Sequence, residues 1–200
     1  PGGADTTCTH TMTRPPGDAR VTRASVSLPT GLVGKLGSVT PCPTANANAG
    51  TCPSSARVGT VQTQSGDSPA SQATLNGEVF VTEAPAGAIA GLSLKVPAIV
   101  GPVNLGNVIV PMKIVLRGDY GLDIVADAIP TRLQGVPLVL RQIQLTMNQT
   151  AGNTSNPFMI NATTCAARTI TADFGSDQST SASPTTTYQA TGCGSVPFSP

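Results

Sequence analysis

The chain has no tryptophan, one histidine, two tyrosines and four phenylalanines, and only 10% of its 200 residues are charged. Each shortage excludes something. Recognition of bases or sugars by stacking needs aromatic platforms, and these are scarce. Eleven Lys and Arg against ten Asp and Glu leave a net charge of +1, which gives no pull toward nucleic acid or an anionic membrane surface. A lone histidine, His10, makes most zinc and acid–base chemistry hard to assemble. No apolar run approaches the roughly 18 residues of a membrane-spanning helix. GxSxG, HExxH and the phosphate-binding glycine loop are all missing. No enzyme activity and no cofactor are therefore expected.

What is present is 39% hydrophobic residues, 21 glycines, 18 prolines and five cysteines. That hydrophobic content can build a core, so disorder is not expected. Five cysteines in a Ser/Thr-rich chain with only three lysines point to an oxidising, extracellular setting. Cys42 and Cys52 bracket a short proline-flanked segment, and a bridge closing it stabilises by about 3 kcal/mol. Cys165 and Cys193 are the natural second pair. Cys8 is left over, as a free buried thiol or a link to another chain. The 42/52 spacing is not that of a zinc knuckle, and no metal is expected. The opening PGGAD reads as a processed start.

Strand follows strand, with almost no helical periodicity. Residues 6–13 alternate, with Thr on one face and Cys8, His10 and Met12 on the other. Residues 20–28 align Ala24, Val26 and Leu28, and 88–96 align Leu92, Leu94 and Val96. Pro97, Gly101 and Pro102 then interrupt. Residues 107–117 put Val108, Val110, Met112, Ile114 and Leu116 on one face, and Pro111 within them implies an edge or a bulge. Further strands are expected at 57–64, 75–82, 122–127, 136–148, 157–163, 167–174 and 185–191, with one helical turn at 44–50. The fold class expected is all-β: a single antiparallel β-sandwich over 1–200, about ten strands, immunoglobulin-like or jelly-roll-like, with a short disulfide-closed loop.

Several segments in order, SLPTGLVGKLGSVTPCP, GTCPSSARVGTV, GLSLKVPAIVGPVNLGNVIVPMKI, AIPTRLQGVPLVLRQIQLTMN, FMINATTC and YQATGC, carry a resemblance. Over most of its length the chain resembles a β-rich repeat domain of large secreted or cell-surface proteins of actinobacteria. The resemblance implies exported, multi-domain or polymeric surface material and no active site. It also supports the pairs Cys42–Cys52 and Cys165–Cys193. It implies plain apolar residues in the first strand, where this chain has Cys8 and His10.

Other constellations have bland readings beside the sharp ones. Cys8, His10 and Met12 present soft ligands for copper(I), but an inward face of a core strand accounts for them better. An exchanged first strand, within 1–13, would complete a neighbour's sheet. Arg117-Gly118-Asp119 is an RGD tripeptide and also ordinary turn chemistry. Asp119, Asp123 and Asp127 lack the dense oxygen loop of a calcium site. An isopeptide cross-link from Lys35, Lys95 or Lys113 has no marked partners. Glu78 and Glu83 fall on opposite strand faces, unlike a glycosidase pair. Asn148, Asn153 and Asn161 begin glycosylation sequons.

The function expected is a non-catalytic building block of a secreted cell-surface or extracellular assembly, as a filament subunit or tandem surface repeat. Its partners would be copies of itself or adjacent repeats. Candidate intersubunit residues are Cys8, His10, Met12, Val196 and Phe198. The alternative is an adhesin-type module that recognises a glycan or a host protein through loops 64–74 and 176–187.

Overall fold

A computed structural model describes residues 2–66 and 72–195. The early strands are β1 (Asp5–Thr6), β2 (Cys8–Thr13), β3 (Val21–Leu28) and β4 (Val33–Gly34). A helix α1 (Thr44–Ala49) precedes β5 (Arg57–Ser65), β6 (Ala73–Thr82), β7 (Ala90–Val100), β8 (Val103–Leu116) and β9 (Leu122–Ala126). The chain continues through β10 (Arg132–Leu133), β11 (Val136–Pro137), β12 (Leu140–Met147) and β13 (Met159–Ile160). It ends with β14 (Arg168–Ser176), β15 (Ser181–Ala182) and β16 (Thr185–Tyr188). The fold is all-β, as expected.

The apolar faces that a sandwich would press together belong here to one continuous sheet of 11 strands. Its order is β15-β14-β3-β9-β8-β7-β6-β5-β12-β2, with β16 also paired to β14. Strands β5 to β9 form a simple meander. Insertion of β12 between β5 and β2 extends it on one side, and β3 with β14 extends it on the other. The sheet curls so that its apolar face turns inward. Cys8 on β2 and Tyr188 on β16 pack on the same cluster, which brings the two edges of the sheet toward each other. A small three-stranded sheet, β1-β13-β4, sits at one end, where Phe158 and Met159 are buried.

The curl has a local cause. Gly77 lies between inward-facing Leu75 and Val79, and a Cβ there would stand 2.2 Å from the Lys95 carbonyl oxygen. Gly59 is as tight, with a Cβ 2.3 Å from the Thr146 carbonyl oxygen, next to a register shift in β5. Glycines and bulges of this kind let a sheet coil more sharply than side chains allow.

Alternation places the expected residues inside: Ala24, Val26 and Leu28 on β3, Leu92, Leu94 and Val96 on β7, and Val108, Val110, Met112 and Ile114 on β8, with Leu116 of the same face exposed at the rim. Two expectations need correction. Pro97 does not end its strand, because a register shift between Pro97 and Ile99 absorbs the missing N–H, and β7 continues to Val100. Residues 136–148 are two strands rather than one, β11 and β12. Pro111 pairs with Ser93 on β7, while pairing with β9 begins only at Lys113, so the proline sits at a local edge.

Helix α1 lies inside the loop closed by Cys42–Cys52 (S–S 2.00 Å). Cys42, Ala47, Ala56 and Phe80 form a second small core beneath it, apart from the main one. Pro43, at the helix N-cap, offers no side-chain cap. Glu83, from beyond β6, instead accepts from both the Thr44 amide and the Thr44 hydroxyl at 2.8 Å. Cys165–Cys193 (S–S 2.02 Å) ties the chain before β14 to the segment after β16. Gly2 donates to the Thr191 carbonyl at 2.9 Å, so the first and last described segments lie side by side.

Candidate functional site: an apolar cavity inside the curled sheet

The inward faces pack into one cluster but do not fill the interior. They line an apolar cavity of about 670 Å³, open to solvent, whose walls come from every long strand of the large sheet. The size follows from two facts. A barrel of about eight strands is just wide enough for side chains to fill, and wider ones leave room for a ligand. Here ten strand positions curl around an interior of Val, Leu, Ile, Ala and Thr. The bulky residues that could fill it are few. Phe80 is spent under α1, Phe158 lies at the end with the small sheet, and Phe174 alone among the described phenylalanines lines the wall from a long strand.

The cavity has two different ends. One carries an exposed apolar rim of Ile89, Leu116 and Tyr120, with Val33 nearby, and Tyr120 is 80% exposed. Tyr120 sits in the turn from β8 to β9 with φ +64°. Toward the other end lies Arg20 on the cavity lining, with Arg14 and Arg141 close by but off the lining. Arg14 donates to the Leu140 and Asp18 carbonyls. Arg141 donates to the Gly66 and Pro15 carbonyls, both at 3.0 Å. Burial, then the Arg141 charge, lowers the Arg14 pKa. Arg20, the residue before β3, is among the residues that line the cavity, beside Val21 and ahead of a register shift in β3. Its guanidinium has no hydrogen-bond or ion-pair partner among the described residues, although its backbone N–H donates to Asp177 at 3.0 Å.

Cys8, His10 and Met12 all face this cavity from β2, while Thr9 and Thr11 on the outer face bond to Thr146 and Gln144 of β12. Cys8 is the free cysteine, half-buried, and desolvation raises its thiol pKa. Desolvation lowers the His10 pKa. In this chain β2 pairs with its own β12, and an exchanged strand would carry the same three residues into a neighbour's cavity. Val196 and Phe198 lie outside the described residues.

The remaining sequence candidates are structurally tied. Arg117 of the RGD tripeptide donates to Asp119, to Asp123 at 2.7 Å, and to the Leu28 and Leu122 carbonyls, which locks the hairpin rather than offering the motif. Asp127 pairs with Lys113, and Lys35 with Asp5. Glu78 pairs with Arg57 at 2.7 Å. Of the sequons, Asn153 is exposed, whereas Asn161 accepts from the Tyr188 hydroxyl at 2.6 Å and Asn148 is half-buried. Among the described residues, no three His, Cys, Asp or Glu side chains are grouped to hold a metal. No described helix is long and apolar enough to cross a membrane.

Neither the cavity nor the place of Arg20 on its lining is legible in the sequence. The signal for the first was the shortage of aromatics in a chain with many strands. The second left no signal in the alternation, because a register shift separates Arg20 from Ala24, Val26 and Leu28. No family model, curated protein or solved structure matches the chain.

Proposed function

We propose that the chain is a secreted, non-catalytic module of an extracellular or cell-surface assembly, and that its curled sheet holds an apolar ligand. The single observation that carries the binding activity is the cavity of about 670 Å³ with apolar walls. Its volume falls in the usual range of ligand sites, about 300–1,000 Å³. Two formed disulfides support the oxidising setting. The test is titration of the purified chain with Nile red, a neutral dye that brightens in apolar surroundings. Saturable brightening at one dye per chain is expected. No brightening, or brightening that Ala24→Phe leaves unchanged, would sink the reading, because a phenyl ring at Ala24 projects into the cavity.

A second reading, a purely structural filament subunit or tandem repeat, is favoured by the outer face. Thr9, Thr11, Thr146, Gln144, Gln62 and Asn76 cover β2, β12, β5 and β6 with uncharged polar groups bonded to one another. Such a face packs against a copy without charge repulsion, and β2 is a sheet edge open to strand addition. Electron microscopy of native material separates the two. Ordered polymers with no bound lipid in an organic extract would favour the structural unit alone.

A further inference from the structure

The two ends of the cavity differ chemically, and that difference identifies a class of ligand. We propose that the cavity binds an amphiphile with one long apolar tail and an anionic head, the head held by Arg20 and the tail directed toward Phe158. The proposal rests on the binding reading above and adds to it the sign of the head group.

The argument begins with the arginines. Arg14 and Arg141 spend their guanidinium groups on main-chain carbonyls of the segments around them, so their role is to hold that end together. Arg20 has no such duty. Asp177 already accepts from the Arg20 backbone N–H, and the Arg20 guanidinium is left without a partner among the described residues. Among the described residues it is the one Lys or Arg that lines the cavity; the other titratable lining groups are Cys8, His10, Tyr120 and Tyr188. Desolvation raises the Cys8 and Tyr188 pKa values and lowers that of His10, so each is held toward its uncharged form. An arginine at the mouth of an apolar chamber offers a planar fork of donors suited to a carboxylate or a phosphate. Size sets the tail. An apolar cavity of about 150 Å³ accommodates benzene, so this one takes roughly two dozen carbon atoms, enough for one long acyl chain.

Displacement of Nile red from the intact chain by dodecanol, dodecanoate and dodecyl phosphate tests the proposal. All three carry the same tail, and the two anions represent the two sources of negative head group. Both anions, or one of them, are expected to displace the dye about tenfold better than dodecanol. The stronger anion then names the head group. Arg20→Gln is expected to abolish that advantage while leaving dodecanol unchanged, and Arg20→Lys to restore part of it. Equal displacement by all three, or an anion advantage that survives Arg20→Gln, overturns the role of Arg20 and leaves the cavity reading standing. Failure of every amphiphile to displace bound dye overturns both. The Arg20 side chain makes no hydrogen bond or ion pair among the described residues, so the melting temperature of the variant is expected to be unchanged.

Discussion

Single residues differ in what surrounds them more than in what they are. Cys8 is a thiol at the cavity wall, and burial raises its pKa. The thiolate is the reactive form, so folded protein near neutral pH should react slowly with iodoacetamide. A ligand in the cavity should slow the reaction further, and unfolding should make it fast; mass spectrometry of quenched samples reads all three rates. Glu83 shows the opposite direction of shift. Its carboxylate accepts first from the Thr44 amide and then from the Thr44 hydroxyl, which holds its pKa below the ordinary 4.5. A carboxyl depressed in the folded state binds its proton less readily there than when unfolded. Its stabilising effect is complete above the unfolded value and is lost as pH falls through the lower, folded one. Hydrogen exchange should show the Thr44 amide protected at pH 7 and losing protection in acid. In Glu83→Gln the protection should be weaker at pH 7 and nearly independent of pH.

At the scale of elements, the curl depends on positions where no side chain fits. An alanine at 77 would press its Cβ to 2.2 Å from the Lys95 carbonyl and 3.0 Å from Val61 Cγ1, and backbone cannot yield as a side-chain tip can. Gly77→Ala should cost about 1–3 kcal/mol in urea denaturation. Gly118→Ala is the control, since nothing lies within 4 Å of the added carbon and its effect should stay within about 0.5 kcal/mol. The strands themselves were legible in the sequence, because one apolar face imposes a period of two. Val108 to Leu116 and Ala24 to Leu28 announce their inward faces without any knowledge of their neighbours. The pairing of Ile143 with both Met12 and Thr63 was not legible, since contacts so distant in sequence leave no local period. Pro97 misled because a bulge, which depends on the partner strand, supplied what proline lacks. Arg20 sits just after a turn, where a lone charge reads as solvated until the opposite wall is known.

For the whole molecule, the cavity poses a question of stability that a ligand answers. Unfilled apolar space forfeits packing contacts, so a cavity of about 670 Å³ leaves the empty chain short of the packing a filled interior would have. The 11-stranded sheet and two disulfides can hold the walls apart, so the empty state need not collapse, but it stands far from its best packing. Anything that fills the space and binds only the folded chain raises stability by mass action, about 2.7 kcal/mol at a hundredfold excess over Kd. For a chain of this length each kcal/mol moves the melting temperature by about 2–4 °C. Protein stripped of lipid by organic extraction and refolded should therefore melt about 5–10 °C higher when dodecanoate is added at that excess. Ala24→Phe, which fills part of the space with its own ring, should melt no lower than the stripped parent and gain little from the same addition. Equal gains in both proteins would mean that the amphiphile acts elsewhere on the surface.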